Sequence, residues 1–125
     1  METQNMPKNS PDAAGVTSNS YVEKACEYIH NNYQKYIGVS DVAAHVAIDR
    51  TYLFKQFCAH VGMSPSKYIK LIRLSHAKEL IDRGNIPLSE IPKLSGFCSR
   101  SRFTEIFKSE YGISPKDYAN NRKNS

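Results

Sequence analysis

The sequence predicts an all-α protein of about seven helices. Apolar residues recur at steps of three and four along most of the chain, and serine caps, Ser-Pro pairs and glycines mark helix starts and stops. No segment alternates apolar and polar residues as a half-buried strand would. With 125 residues, of which 40% are hydrophobic, the chain suits one compact unit or two very small ones. A large catalytic domain does not fit this length.

The net charge, the lack of long apolar runs and the cysteine spacing predict the kind of partner and the location of the protein. A formal charge of +5 favours polyanionic partners such as nucleic acid, although the same charge also serves solubility. No apolar run approaches the roughly 20 residues that span a bilayer, and the N-terminus lacks a secretory signal, so we expect a cytoplasmic location. Cys26, Cys58 and Cys98 lack disulfide or zinc-ligand spacing. They are predicted to be buried or half-buried apolar residues, with no metal site and no cofactor.

Residues 1–19 differ from the rest of the chain. They are rich in Asn, Ser, Pro, Ala and Gly without apolar periodicity, which predicts a disordered head or the remnant of an interdomain linker. At Ser20 the pattern changes to the stripe of an amphipathic helix, which continues to Tyr33. The folded region is therefore predicted over residues 20–121, followed by a short tail at 122–125.

Cap residues place the next helices. Ser40 and Ser89 each precede a short helical pattern and are predicted as N-caps, because a hydroxyl there accepts from a free backbone N–H. Ser64-Pro65 and Ser114-Pro115 predict two more starts, since proline at the first helical position loses no hydrogen bond. Helices are predicted to stop at Gly62, Gly84 and Gly112.

The chain contains an internal repeat. Residues 39–68, the first copy, align with residues 88–118, the second copy, at an offset of 49 that becomes 50 after the middle. The extra residue belongs in a turn, near 47–49 and 96–99, because an insertion inside a helix would rotate its buried face by about 100°. Each copy therefore reads as a helix-turn-helix, at about 39–60 and 88–110. Two copies are fewer than a helical solenoid requires.

The second helix of each copy has two different faces. Leu53 and Phe57, with their counterparts Phe103, Ile106 and Phe107, repeat at three to four and are predicted to pack inward. The opposite sides, called the outer faces below, carry types that read bases: Arg and Lys donate to guanine, Ser and Thr bond bases or phosphates, and Glu accepts from cytosine. The base-reading candidates are Arg50, Thr51, Phe54, Lys55, Arg100, Ser101, Thr104 and Glu105.

Three further residues flank the outer faces. Arg102 is a candidate for a phosphate or base contact, Lys108 for a backbone contact, and Tyr52 for packing with its hydroxyl at the rim. The role of Phe54 has two interpretations: it contacts a thymine methyl group, or it packs on a neighbouring helix. For any single residue the alternative is a solvated surface side chain, and the matched outer faces of the two copies weigh against it.

A longer helix is predicted between the copies, from about residue 65 to 83. At 1.5 Å per residue it would be about 28 Å long. Successive major-groove faces on one side of B-DNA are about 34 Å apart, so a spacer of this size suits two recognition helices in adjacent turns. His76, on its apolar face, is predicted to be a hydrogen-bonded core histidine rather than a ligand.

The second copy resembles the signature of the AraC/XylS family of bacterial transcription regulators. The positions that carry the resemblance are Leu88, Ile91, Gly96-Phe97, Ser99, Ser101, Phe103, Phe107-Lys108, Tyr111-Gly112, Ser114-Pro115 and Tyr118. The linker is similar through Tyr68-Ile69, Arg73, Ala77 and Leu80-Ile81. The resemblance covers about residues 21–121. It implies a seven-helix domain with two helix-turn-helix units that binds promoter DNA, often as an activator beside RNA polymerase.

Four residues depart from the family pattern. Pro92 replaces a small residue, at a low expected cost because it would be the third helical position after a Ser89 cap. Ala47 stands where glycine is common, so we expect the first turn to avoid a left-handed residue there. Phe54 and Glu105 stand where members often carry Arg or Gln readers, which leaves the target sequence open.

The resemblance also sets expectations for the whole protein. Most members add a domain for ligand sensing or dimerisation, so we expect this chain to be the monomeric DNA-binding part of a longer regulator, with a complete short regulator as runner-up. The alternative from another class is a small helical protein-interaction module, whose binding would depend little on salt. An enzyme is disfavoured, since the sequence shows no nucleophile–base pair, phosphate loop or metal cluster.

Overall fold

The computed structural model describes the backbone of residues 13–123 and the side chains of residues 20–122. The regular elements in this range are helices, with no strand, which confirms the all-α fold class. A 3-10 turn at Leu88–Glu90 precedes the fifth helix. The seven α-helices are α1 (Ala13–Asn32), α2 (Val39–Val46), α3 (Arg50–Val61), α4 (Pro65–Arg83), α5 (Ile91–Leu94), α6 (Arg100–Tyr111) and α7 (Pro115–Lys123).

The described helices divide between two compact units. Unit 1 contains α1 as far as Asn31 and the chain from Ile37 to Tyr68, which holds the first copy of the repeat. Unit 2 contains the segment Asn32–Tyr36 and the chain from Ile69 onward, which holds the second copy. Helix α4 occupies the range predicted for the linker helix; its first turn belongs to unit 1 and the remainder to unit 2.

Unit 1 buries the apolar faces of its first three helices. Its buried side chains are Val22, Ala25, Ile29, Val42, Ala43, Val46, Leu53, Phe57 and Pro65. Tyr68 ties the first turn of α4 to this core, because its ring meets Phe57 edge-on at 5.1 Å and its hydroxyl lies 2.9 Å from His30 Nε2. Burial raises the pKa of Tyr68 to about 12, so the phenol stays protonated at neutral pH.

Unit 2 has a more aromatic core. The buried cluster comprises Leu74, Ala77, Leu80, Ile81, Ile91, Phe97, Phe103 and Phe107. The Phe107 ring lies at its centre, 5.7 Å from the Phe103 ring, 4.7 Å from Tyr111 and 5.9 Å from Tyr118. Such tilted and edge-on pairs add about 0.5–1.5 kcal/mol each beyond the area they bury. Helix α6 is therefore held chiefly by ring packing.

A polar cluster fastens α7 to α4 within unit 2. The Tyr118 hydroxyl donates to Asp82 Oδ1 at 2.6 Å, and Arg122 Nε lies 3.1 Å from the same oxygen. The hydrogen bond to Asp82, with burial, raises the pKa of Tyr118. Lys78 Nζ sits 5.2 Å above the Tyr111 ring and 5.8 Å from the Tyr118 ring, within cation–π range. These contacts close one side of the aromatic core.

The Ser-Pro helix starts and the stop glycines are confirmed. Ser64 Oγ accepts from the Lys67 N–H at 3.2 Å, and Ser114 Oγ accepts from the Asp117 N–H at 3.1 Å. In both cases the hydroxyl satisfies a backbone donor that the first helical turn leaves free. The stop glycines have left-handed φ angles: Gly62 89°, Gly84 71° and Gly112 77°.

The predicted N-cap at Ser40 is wrong. Helix α2 begins at Val39, two residues before the start that a Ser40 cap implies, and its N-cap is Gly38, whose backbone N–H donates to Asp41 Oδ2 at 2.8 Å. A carboxylate at the third helical position stabilises this start, because it satisfies a backbone donor and carries negative charge near the positive end of the helix dipole. Ser40 is thus inside the helix.

The predicted N-cap at Ser89 is also wrong. Ser89 lies within the 3-10 turn, whose N-cap is Pro87. Because α5 begins only at Ile91, Pro92 is its second residue rather than the third. The missing N–H of Pro92 still falls in the first turn, where no intrahelical hydrogen bond is lost. The expected energetic cost of this proline is therefore still low, although its position in the helix differs from the predicted one.

Helix α1 begins at Ala13, earlier than the predicted start at Ser20. Each residue added to an existing helix gains a hydrogen bond without a new nucleation cost, and alanine has the highest helix propensity, so a segment without an apolar stripe continues the helix. Residues 1–12 of the predicted head and residues 124–125 of the predicted tail lie outside the described residues.

Candidate nucleic-acid interface

Helix α3 has clear local determinants at both ends. Asp49 is its N-cap, with Oδ1 accepting from the Tyr52 N–H at 2.8 Å, and Gly62 ends it in a left-handed conformation. Leu53 and Phe57 are fully buried, as their spacing predicts. The helix is therefore anchored by one face, and its other face is left to solvent.

The outer face of α3 is exposed along its length. Arg50, Thr51, Phe54 and Lys55 all lie at the surface, which is where the sequence places them. Tyr52 packs edge-on against Tyr21 of α1, with ring centroids 6.1 Å apart, and remains 38% exposed. This agrees with the predicted packing role. A concave surface beside the helix is lined by Val39, Arg50, Thr51, Phe54, Ser64, Pro65 and Ser66.

Helix α6 repeats this design in unit 2. Its N-cap is Ser99, whose Oγ accepts from the Arg102 N–H at 3.1 Å, and Gly112 ends it. Phe103 and Phe107 are buried, and Ile106 is half-buried, as predicted. The outward set is exposed and comprises Arg100, Ser101, Arg102, Thr104, Glu105 and Lys108. A concave surface is lined by Leu88, Ser89, Pro92, Arg100, Phe103, Thr104, Ser114, Pro115 and Lys116.

Arg102 and Glu105 form an ion pair on the surface of α6. Arg102 Nη1 donates to Glu105 Oε1 at 3.2 Å, one helical turn apart. Both side chains are highly exposed, so the pair contributes little stability, on the order of a few tenths of a kcal/mol. Its local effect is to place a cation beside the exposed carboxylate of α6.

The turn of the first copy contains a left-handed alanine. Ala47 has φ 62° and ψ 39° and caps the end of α2, with its N–H directed to the carbonyls of Ala43 and Ala44. The expectation that this turn avoids a left-handed residue at Ala47 is therefore wrong. A left-handed alanine costs roughly 1–2 kcal/mol, which the cap hydrogen bonds and the buried residues on either side of the turn offset.

The turn of the second copy is packed against distant backbone. Gly96 has φ 94°, and a Cβ added there would clash with the Tyr33 carbonyl oxygen and lie 2.8 Å from Arg73 Nε. Arg73 Nε donates to the Tyr33 carbonyl at 2.8 Å, and its Nη2 donates to the Lys35 carbonyl at 2.8 Å. Burial lowers the pKa of this guanidinium. The two hydrogen bonds of Arg73 and the close approach of Gly96 to Tyr33 fix the position of the turn before α6.

Arg73 is part of the family resemblance, but the sequence predicts no structural role for it. The signal that was available is a cationic side chain among apolar neighbours in the linker helix, close to a break after α1 where carbonyl groups lack helical partners. The identity of the acceptors could not be read from the sequence, because Tyr33 lies forty residues away along the chain.

His76 is hydrogen-bonded, as predicted, but it is half-buried at the edge of the core. Its Nδ1 lies 3.2 Å from Ser95 Oγ, and its ring meets Tyr33 edge-on at 5.4 Å. Ser95 is fully buried. Burial lowers the pKa of His76 because it disfavours the charged imidazolium, while the Glu79 carboxylate opposes this effect.

The cysteines are free thiols. Cys26 and Cys58 are half-buried, as predicted, whereas Cys98 is exposed, so the prediction for Cys98 is wrong. It precedes the N-cap Ser99, where the chain turns outward to start α6. The described residues contain no group of three or more side chains suited to a metal ion, and no helix among them is long and apolar enough to cross a membrane.

Comparison with known proteins places the chain in a family. A family model described as a helix-turn-helix domain matches residues 42–121. The lactose operon transcription activator of Staphylococcus xylosus is 35% identical over 100 residues, which cover 80% of this chain and 36% of that protein. A probable AraC family transcriptional regulator from Rhodopseudomonas palustris CGA009 superposes with a TM-score of 0.72 at 26% identity, covering 82% of this chain and 97% of that one. The chain belongs to the AraC/XylS family.

This AraC/XylS chain also shares its fold with a domain solved on DNA. The DNA-binding domain of AdpA, a global transcriptional factor in complex with a target DNA, matches with a TM-score of 0.75, covering 78% of this chain and 88% of that one. At 19% identity the likeness shows the fold alone. The chain spans 36% to 44% of the length of the first curated relatives that it matches.

Proposed function

We propose that this chain binds double-stranded DNA at specific sequences and thereby regulates transcription, with α3 and α6 entering successive segments of the major groove. The observation that carries the proposal is the match between the two helices. Each has an Asp or Ser N-cap, a buried apolar face and an exposed outer face with an arginine at its first position. This is the arrangement in which a helix-turn-helix offers the N-terminal half of its second helix to base edges.

The outer faces supply a varied set of base-reading groups. Arg50, Arg100 and Lys55 are suited to guanine O6 and N7, and Glu105 to the cytosine amine. The hydroxyls of Thr51, Ser101 and Thr104 bond to bases or phosphates. Arg102 and Lys108, at the edge of α6, are assigned to the sugar-phosphate backbone, and the hydroxyl of Tyr52 lies at the rim of α3. Because the two faces differ, the two half-sites are expected to differ in sequence.

We further propose that the chain is the DNA-binding part of a longer, ligand-responsive regulator. It spans less than half of its first curated relatives, some of which are named for the lactose, melibiose and raffinose operons. In this proposal the isolated part binds as a monomer in the cytoplasm, activates from a site beside RNA polymerase, and carries no catalytic activity. The relatives named above are regulators rather than enzymes.

A mobility-shift titration at two salt concentrations tests DNA binding. The fragments are promoter DNA and random DNA of equal length. Binding through 6 to 10 phosphates is expected to weaken by about 10³ to 10⁵ between 50 and 200 mM salt. Absence of any shift at low salt contradicts the proposal. Binding partners found only among proteins, with affinity insensitive to salt, would support the helical interaction module instead.

A further inference from the structure

Phe54 is the one phenylalanine of this chain whose side chain is left in water. The chain has five phenylalanines, and the other four are buried, at 0–6% exposure. Phe54 is 52% exposed, although it lies between Leu53 and Phe57 of the core in the chain. Among the described residues no ring stacks on it. Packing on a neighbouring helix, one of its two interpretations from the sequence, therefore does not account for the exposed half of this side chain.

Phe54 is surrounded by exposed cationic and hydroxyl side chains. It lines the concave surface beside α3 together with Arg50 and Thr51, and Lys55 follows it on the same exposed side. A protein partner with an apolar patch would have to bury these cations beside it, which is costly without paired acids. The major groove of DNA offers phosphates for the cations and one apolar group per A·T pair, the C5 methyl of thymine.

The repeat supplies an independent comparison. The position equivalent to Phe54 in the second copy is Thr104, which is exposed and lines the corresponding concave surface beside α6. Thr104 has both a methyl group and a hydroxyl, so it suits several bases. Phe54 has no donor or acceptor and can form only an apolar contact or stack. At this position the first copy therefore offers only an apolar group, whereas the second copy offers a methyl group and a hydroxyl.

We propose that Phe54 makes the first half-site selective for thymine by contacting its C5 methyl group in the major groove. This inference rests on the proposed function, because it specifies how one residue of α3 reads its site. In this proposal Phe54 contacts the thymine methyl group, and Arg50, Thr51 and Lys55 beside it form hydrogen bonds with the DNA.

The test removes the methyl group from the DNA instead of altering the protein alone. A binding sequence is selected from a random duplex pool with the 125-residue chain. Each thymine of that sequence is then replaced, one at a time, by deoxyuridine, which keeps the hydrogen-bonding pattern and lacks the methyl. Loss of one buried methyl-sized group corresponds to about a fourfold weaker Kd, which fluorescence anisotropy resolves at fixed salt.

We expect one position in the first half-site, the part of the sequence read by α3, where uracil weakens binding by the wild-type chain about fourfold. The same uracil should leave the affinity of Phe54→Ala unchanged, because that variant lacks the side chain that contacts the methyl group. Phe54→Leu, which keeps an apolar contact, should retain part of the penalty. Tyr36→Ala is the matched control, since Tyr36 is an exposed aromatic in unit 2 outside α3 and α6, and it should keep the full penalty. Far-UV circular dichroism and melting confirm that each variant is folded.

The outcomes separate this inference from the proposed function. Selective binding with no uracil position that distinguishes wild type from Phe54→Ala overturns the role of Phe54 and leaves sequence-specific DNA binding intact. Failure of the pool to yield any preferred sequence, under low-salt conditions, overturns both. A protein partner whose binding depends on Phe54, in a chain whose DNA affinity is unchanged by Phe54→Ala, would assign this side chain to protein docking.

Discussion

The two units share the helix-turn-helix arrangement but have different residues at equivalent positions of the turn and of the outer face. In unit 1 a left-handed alanine, Ala47, closes the turn, whereas unit 2 has Gly96 in a turn pressed against backbone from another part of the unit. Unit 1 has Phe54 on its outer face where unit 2 has Thr104. The difference shows that the repeat conserves which face is buried and where the helices end, while each turn and each outer face is adapted to its own surroundings.

The largest expected effect is loss of the aromatic core of unit 2. Phe107→Ala removes a fully buried ring with three aromatic neighbours and should lower the free energy of unfolding by about 3–5 kcal/mol. Urea unfolding measures the loss. Thr104→Ala, on the exposed side of the same helix, is the control and should change stability by less than about 0.5 kcal/mol. A stable Phe107→Ala protein would show that the inward face of α6 is misassigned.

Gly96→Ala tests whether the second turn is constrained by its packing. The added Cβ meets the Tyr33 carbonyl and the Arg73 guanidinium in a left-handed backbone conformation, so a loss of about 3 kcal/mol is expected. Gly62→Ala shares the positive φ but meets nothing within 4 Å, and should cost only about 1–2 kcal/mol. Equal losses in the two variants would mean that backbone strain alone, and not the close approach, requires glycine at position 96.

The two arginines at the start of α3 and α6 test whether both copies read DNA. Arg50→Ala and Arg100→Ala should each weaken binding to the selected site by about 1–3 kcal/mol if they contact bases. Lys24→Ala, an exposed cation of α1, removes the same charge away from the outer faces. Losses that are as large on random DNA would reassign the arginines to phosphates. An effect of Arg100 alone would confine base reading to the second copy.

Ala47→Gly is the reverse substitution in the turn of the first copy and tests whether the left-handed alanine is strained. Glycine adopts positive φ without the Cβ clash, so the substitution should stabilise the protein by up to about 1 kcal/mol, reduced by the greater entropy of the unfolded glycine chain. Thermal melting of Ala47→Gly beside the exposed helical control Ala44→Gly provides the measurement. The control should be destabilised by about 0.5–1 kcal/mol. Destabilisation of similar size in both would contradict a strained turn at Ala47.

The smallest expected effect is a pH dependence in unit 2. Burial holds the pKa of His76 below its ordinary value of 6.5, so the folded state favours the neutral ring. The associated stability is present above about pH 6.5 and is lost as the pH falls through the lower pKa of the folded state. His76→Gln keeps a partner for Ser95 and does not titrate. Its unfolding midpoint should therefore fall less than that of the wild type between pH 7 and 5, and identical profiles would contradict the assignment.

Local patterns were enough to predict much of this structure. The start and end of α4, the stop glycines and the inward positions of α3 and α6 all follow from apolar periodicity and from the chemistry of serine, proline and glycine. The errors lie where two local signals compete. Asp41 outweighs Ser40 as the stabiliser of a helix start because a carboxylate also interacts with the helix dipole, and such competition is not ranked by sequence spacing.

The sequence by itself determined that the protein is an all-α chain with two helix-turn-helix copies and which side of each recognition helix is buried. Periodicity carries that information because helical geometry places residues three and four apart on one face. Only the tertiary structure decided that Ala47 is left-handed, that Arg73 and Gly96 meet the Tyr33 carbonyl, and that Phe54 stays in solvent. The Arg73 and Gly96 contacts join groups that are distant in the chain. The conformation of Ala47 and the exposure of Phe54 depend on how the helices around them pack, which no local pattern specifies.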